Sequence, residues 1–434
     1  RQMCIRDRGS SNLFITYNAA LDLETPELMK ERLPIMGTPE SYVGYAAGWA
    51  WATSTPYQWT KQVASHWGGT RNGTVVHWPN GFKSRGETRS QFVHITDVYP
   101  TILEAAGLPE PTMVNGVGQR PLPGTSFGYS FDDAQADERH NLQYFEIFGT
   151  RGLYLDGWIA SCIHRIPWDV AATAHPFDDD VWELYAPDDW SQAHDLASEK
   201  PDKVKEMERL WLIEATKNGA LPLDDRAVER FNAEIAGRPE LVTGDSQILY
   251  GGMSGLTESS LLNLKNKSFA VTAELVIPTG GASGVLISQG GEHAGWALYL
   301  LEGVPYYTHN FLGLNEYTVS GEQAIPEGTH QVRVEFDYDG GGVNKGGTAT
   351  LFVDGDQVGQ GRVEQTVGIM FASDETTSIG RDTATVVTDA YGPSGQNDFT
   401  GRIEWIRLDA GDDAHDPDHY IPEGDRLNTI IGRQ

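Results

Sequence analysis

Lys61 stands with His66, the pair Gly68 and Gly69, Arg71 and four tryptophans (Trp49, Trp51, Trp59 and Trp67), just ahead of a short apolar run at 75–78. A lysine ammonium is a compact point charge that can lie against anionic oxygens without planar geometry. Adjacent glycines let the backbone turn close to such a site. The plain alternative for Lys61 is a solvated surface side chain, where most lysines are found. His66 reads as a substrate contact, as a supporting hydrogen bond or as a satisfied structural histidine. The indoles could wall a pocket for an aromatic or sugar group, or simply pack in a core. Arg71 is expected to pair with an acidic group rather than touch substrate.

Other groups that could do chemistry are fewer. Asp178, Asp179 and Asp180 are adjacent, without the alternate spacing of a calcium loop, and read as a turn. Cys4 and Cys162 cannot build a disulfide framework. The acidic run 409–418, with His415 inside it and His419 beside it, reads as a solvated tail rather than a metal site.

The elements that must position these residues change character along the chain. The run 75–78, stopped by Pro79, suits a strand buried on both faces of a mostly parallel sheet. Thr96 can cap a helix whose inner face is Val98, Ile102, Leu103 and Ala106, ended by Gly107 and Pro109. Asp156 and Gly157 between apolar runs predict a hairpin. A strand follows at 181–185, then a helix over 201–217 with Val204, Met207, Leu210 and Trp211 inward. Beyond a helical connector, 268–277 and 330–338 alternate apolar and polar residues, and 348–358 turns through Asp354 and Gly355, as in a β-sandwich.

Length and charge bound the possibilities. A chain of 434 residues suggests two or three domains. Its 32 Lys and Arg stand against 61 Asp and Glu, a formal charge of −29 that repels phosphate backbones and argues against nucleic-acid binding. The most apolar run, 45–52, is too short for a membrane span. No signal peptide is legible at the start. The compartment stays open.

The order formed by Thr55, Pro56, Tyr57, Lys61, Gly68, Gly69, Arg71 and 74–79 resembles the late part of the sulfatase catalytic domain, in the alkaline phosphatase-like superfamily. Residues 182–185 with 195–197 resemble the small antiparallel sheet and helix that end sulfatases. Residues 351–358 resemble a hairpin of concanavalin A-like and laminin-G-like jelly rolls. The resemblance implies an α/β region followed by an all-β jelly roll. It divides the chain into non-native sequence at 1–8, a catalytic portion at 9–226, a linker at 227–245, a sandwich at 246–410 and an acidic tail at 411–434.

By the same resemblance, sulfatases use a formylglycine nucleophile made from C/S-x-P/A-x-R and a calcium ion held by Asp and Asn. Lys61 matches their late lysine, which implies contact with the sulfate oxygens; His66 and Trp67 would border the substrate, an aryl or carbohydrate sulfate ester. The chain departs from the family where the mechanism begins. No C/S-x-P/A-x-R occurs, and the calcium ligands are absent from this sequence. It therefore reads as an inactive fragment that binds no catalytic metal. The alternatives are a phosphonate or phosphodiester hydrolase of the same superfamily, or a glycan-binding jelly roll in which Trp296, Tyr299, Tyr306, Tyr307 and Tyr317 could stack on sugar rings, although strand alternation places several of them in the core.

Overall fold

The structure, a computed structural model, describes residues 5–6, 9–114, 116–166, 168, 175–372, 375–414 and 417–431. The chain forms two compact units, one comprising residues up to Gly9 with Gly44–Asp225, the other Ser10–Val43 with residues from Arg226 onward.

The first unit is organised by a four-stranded antiparallel meander: β1 (Leu142–Ile147), β2 (Thr150–Leu155), β3 (Trp158–Cys162) and β4 (Trp182–Tyr185). Asp156 and Gly157 both take positive φ, +46° and +87°, as the tight β2–β3 hairpin requires. Because successive residues point to opposite faces, each strand serves two layers. On one face Leu153, Ala160 and Leu184 pack against Met207, Trp211 and Ala215 of a helix, here α2 (Pro201–Lys217). On the other face Tyr154, Ile159 and Tyr185 receive Trp67, Phe92 and Phe145. The Trp211 indole also donates to the Phe145 carbonyl at 3.0 Å. α2 has the bounds its periodicity predicted, and Gly219 beyond it takes φ +73°.

A shorter helix, α1 (Val98–Ala106), ends at left-handed Gly107, φ +67°. His94 and Asp97 form the capping box at the turn that leads into it, rather than Thr96 alone. Its expected inner face is only partly covered: Thr101 is buried, Val98 and Leu103 are half-buried, and Ile102 and Ala106 are exposed. The run 75–78 is not a strand; Val75 is 94% exposed. A strand needs a neighbour to receive its backbone groups, and none of the described strands pairs with this run. Within residues 1–8, Ile5–Arg6 pair in parallel with Tyr45–Ala46.

The second unit is a sandwich of two antiparallel sheets built from β5 (Ser246–Leu249), β6 (Phe269–Ile277), β7 (Gly284–Gly291), β8 (Ala294–Leu301), β9 (Val304–Phe311), β10 (Asn315–Ser320), β11 (Gly328–Tyr338), β12 (Gly347–Val353), β13 (Asp356–Val363), β14 (Thr377–Ile379) and β15 (Arg402–Ala410). The orders are β13-β12-β11-β6-β15-β5 and β10-β9-β8-β7-β14. Alternate residues such as Val271, Val332, Val334, Leu351 and Ile406 face Leu298, Tyr307 and Phe311 across one core. The outer face of the five-stranded sheet is covered as well, with Val285, Ala297 and Tyr299 packing on Val387 and Tyr391.

Trp296, Tyr299 and Tyr307 are buried, at most 2% exposed: strand alternation turns Trp296 and Tyr307 inward, and Tyr299 is covered on the outer face by Val387 and Tyr391. Tyr306 is half-buried and stacks on Tyr299 at 5.4 Å, and Tyr317 packs at the edge of the main core. Ser10–Val43 clusters with the sandwich instead of the catalytic portion: Phe14 and Ile15 join its core, and the Asn18 carboxamide oxygen accepts from the Ile369 and Met370 amides at 2.9 and 3.1 Å.

The acidic tail is not wholly solvated. Asp409 is buried and accepts from Arg407 at 2.7 Å; Ile421 is buried, and His419 stacks on Phe352 at 4.0 Å. Beneath these residues Arg333 is 1% exposed, with its donors on Glu335 (2.6 Å), Thr272 (2.7 Å) and the Ala414 carbonyl (2.8 Å). His415 and Cys4 lie outside the described residues.

Trp211→Ala is expected to destabilise the first unit by about 3–5 kcal/mol, since it opens a cavity between helix and sheet; urea unfolding of the variant and wild type measures it. A second expectation concerns pH. The Asp97 carboxylate accepts from the His94 and Thr125 amides at 2.8 and 2.7 Å and from His140 Nδ1 at 2.8 Å. The bond to Asp97 raises His140 above its ordinary 6.5, although burial opposes this. Burial pushes Asp97 upward, yet the bonds from His140 and the two amides outweigh it and hold the carboxyl below 3.8. Neighbouring His94 is pushed down by burial and by His140. The His140 contribution is thus full below pH 6.5 and lost as pH rises through its raised value. His140→Gln should lower the thermal midpoint clearly at about pH 6 and much less at about pH 9.

Candidate active site around Lys61

The Lys61 loop is shaped by backbone contact rather than by side chains. After the helix Ala47–Ser54 the chain runs to Trp59 and Gln62, both at positive φ (+64° and +75°), then into the single turn Trp67–Thr70. The Gly68 amide donates to the Gln58 carbonyl at 3.0 Å. A Cβ on Gly68 would overlap the Trp59 carbonyl; one on Gly69 would lie 2.7 Å from the Thr60 oxygen and overlap that of Val63. Only glycine allows this doubling-back. Val63 and Thr60 are buried below the loop, and Lys61 between them is half-buried.

The loop is fastened to the meander. Ser161 on β3 donates to the Ser65 carbonyl at 2.5 Å, and Gly152 on β2 leaves room for the backbone at Ala64 and Ser65. Gln192, fully buried, accepts from the Trp67 amide at 2.6 Å through its side chain, and its own carbonyl accepts from Gln58. Gln192 carries no sequence signal, because its partners lie 125 and 134 positions away.

His66 is buried: Nδ1 lies 2.8 Å from the Ser65 hydroxyl, and Nε2 lies 3.2 Å from a Glu183 carboxylate oxygen on β4, close but without hydrogen-bond geometry. It holds the loop to the sheet. Trp67 is half-buried against Phe92 and Tyr154, at 6.4 and 6.5 Å. Arg71 does not enter an acidic pairing in the core. It is exposed, with its guanidinium over the rings of Tyr57 (5.3 Å) and Trp67 (5.8 Å). Trp59 is flanked by Trp51 at 5.2 Å and stacked with Trp168 at 6.1 Å, so three indoles gather two residues from Lys61. Trp49 stands apart from these ring contacts and is 69% exposed.

A second polar centre lies at the end of β3 and the start of β4. Phe177–Asp179 form the expected turn, but Asp180 leaves it and its side chain is buried. One oxygen accepts from His164 Nδ1 at 2.9 Å and His175 Nε2 at 2.7 Å; the other accepts from Arg151. Arg151 also lies 3.1 Å from the Cys162 sulfur. Burial pushes the Cys162 thiol up to about 11 against the pull of Arg151, so it is no thiolate nucleophile near neutral pH. His164, His175 and Asp180 form the one group of three metal-competent side chains among the described residues. Two imidazoles and a carboxylate do not match the oxygen shell that calcium takes. The oxygen ligands that a calcium centre needs therefore find no fit in this group.

Residues 34–108 match the sulfatase family. An uncharacterized sulfatase of Schizosaccharomyces pombe is 24% identical over 225 residues, covering 50% of this chain and 38% of that protein. The chain thus spans well under half the length of that relative. The chain thus carries a sulfatase-family region, and the two antiparallel sheets of the second unit form the jelly-roll domain that follows it. Among solved structures, the carbohydrate-binding module CBM40 of Ruminococcus gnavus IT-sialidase is similar at 15% identity and a TM-score of 0.28, over 44% of this chain and 99% of that one. Domains LG4-5 of the mouse laminin α1 chain reach 16% identity and a TM-score of 0.24, over 38% and 39%. At such scores the likeness carries no argument, and the jelly-roll assignment rests on the strand order.

Gly69→Ala is expected to cost about 1–3 kcal/mol, because the displaced carbonyls cannot withdraw without breaking the loop. Gly73→Ala, whose Cβ would meet nothing within 4 Å, is the control and should leave the urea midpoint nearly unchanged.

Proposed function

We propose that this chain carries the C-terminal part of a sulfuric ester hydrolase, in which the Lys61 ammonium faces the oxygens of the bound sulfate ester. The observation that carries the reading is the glycine-clasped loop inside the family-matched segment, which holds a half-buried lysine two residues from Trp59, itself packed with Trp51 and Trp168. A fixed cation aimed at oxygens that gain charge in the transition state is worth more there than in water. The indoles suit the flat face of an aryl or sugar leaving group. In this reading His66 and Trp67 border the substrate by shaping the loop, and the formylglycine nucleophile and calcium ligands come from outside these 434 residues. The chain alone is then inactive on aryl sulfates.

The runner-up is a phosphonate or phosphodiester hydrolase of the same superfamily. A glycan-binding role for the jelly roll loses its main support, since Trp296, Tyr299 and Tyr307 are interior.

In the enzyme that contains this chain together with its nucleophile, Lys61→Ala should lower kcat/KM for an aryl sulfate by about 10²–10³. Lys61→Arg should restore little of it. Steady-state assays on aryl sulfate, phosphate diester and phosphonate decide the matter. Unchanged kinetics in Lys61→Ala would remove the assignment of Lys61, and preference for the phosphorus esters would favour the runner-up.

A further inference from the structure

We propose that His164, His175 and Asp180 bind a divalent transition-metal ion of the zinc class, independent of the sulfatase reading and of any calcium that sulfatases use. All three residues belong to the connection between β3 and β4. Their donor atoms, His164 Nδ1, His175 Nε2 and Asp180 Oδ1, lie within 4.8 Å of one another. Tetrahedral zinc with bonds of roughly 2.05 Å needs its donors about 3.3 Å apart. The two imidazoles stand 2.9 and 2.7 Å from the carboxylate oxygen, so each of these contacts opens by about half an ångström to admit an ion, while the two ring nitrogens, within 4.8 Å of each other, come to the same spacing. His175 is 46% exposed and on the solvent side, so it can swing by that amount and leave a fourth position for water.

The donor set selects the ion. Two imidazoles favour zinc, copper or nickel over calcium and magnesium. Asp180 is limited to one ligand oxygen, because Arg151 occupies the other. That guanidinium is an unfavourable charge beside a cation. It is offset by Asp225, which lies on the far side of His164.

An independent observation concerns the second nitrogen of His164. Its side chain is fully buried, yet Nε2 makes no hydrogen bond and sits 3.6 Å from an Asp225 carboxylate oxygen. Metal-ligating histidines commonly direct their other ring N–H to a carboxylate, which fixes the tautomer. With the ion on Nδ1, the proton moves to Nε2 and faces Asp225, and the orphaned atom gains its partner. The ring is held for this by stacking on Phe177 at 4.0 Å. It is also held by Gly149, where a Cβ would come within 2.7 Å of His164 Cδ2. The bound ion would join the two ends of the β3–β4 connection as a structural clasp.

The test is calorimetric titration of the 434-residue chain with Zn²⁺, paired with the visible spectrum of its Co²⁺ form, which reports four-coordination. One equivalent should bind saturably, with Ca²⁺ in excess failing to compete. His175→Ala, which removes the most solvent-accessible of the three donors, should weaken binding at least tenfold in a chain whose unchanged circular dichroism shows it folded, as should Asp180→Asn. His194→Ala, which removes an 84%-exposed imidazole beside Asp189, should leave it unchanged. Absence of saturable uptake by the folded chain overturns the proposal. So does equal affinity in wild type and His175→Ala, which would place the ion elsewhere.

Discussion

The close approach of Gly68 and Gly69 to the carbonyls of residues 58–63 is the constraint on which the candidate site depends. No side chain can be inserted between these two stretches, so the loop has one shape, and Lys61 is positioned by the main chain on either side of it. The meander supplies the base. Its alternation sends one set of residues to α2 and the other to the loop, so helix and site are held by opposite faces of the same four strands. A lysine is a long and entropically costly side chain to place. In the proposed role, half-burial and a rigid backbone would reduce what must be ordered on binding an anion.

What was legible in the sequence was local. α2, the Asp156–Gly157 hairpin and the sandwich strands each follow a period or a turn dipeptide that a short window contains, and the structure reproduces them. The glycine pair was legible for the same reason. The run 75–78 misled because continuous apolarity marks a buried strand only where neighbouring strands exist to bury it. The aromatic residues of the sandwich were legible only in part: alternation placed several in the core, but a stacking platform and a core residue share a composition, and the register of β8 and β9 separates them.

The remaining parts of the site were hidden by distance along the chain. Gln192 joins Gln58 and Trp67 across more than a hundred residues. Asp180 looked like one of three equivalent carboxylates, yet it alone leaves the turn to meet two imidazoles and a guanidinium. Burial assigns such roles, since an ionised carboxylate removed from water must be fully partnered. The −29 charge gives no warning of this, because most of those acids are solvated and only a few are structural.

Arg333 extends the same rule to the end of the chain. One of its donors is satisfied by the Ala414 carbonyl, beyond the last strand, and Gln331 bonds both the amide and the carbonyl of Ile421. The sandwich as a folding unit therefore does not stop where its sheets stop. A dissection that cut after residue 410 would bare a guanidinium on an otherwise closed surface, so the autonomous module extends at least through Ile421.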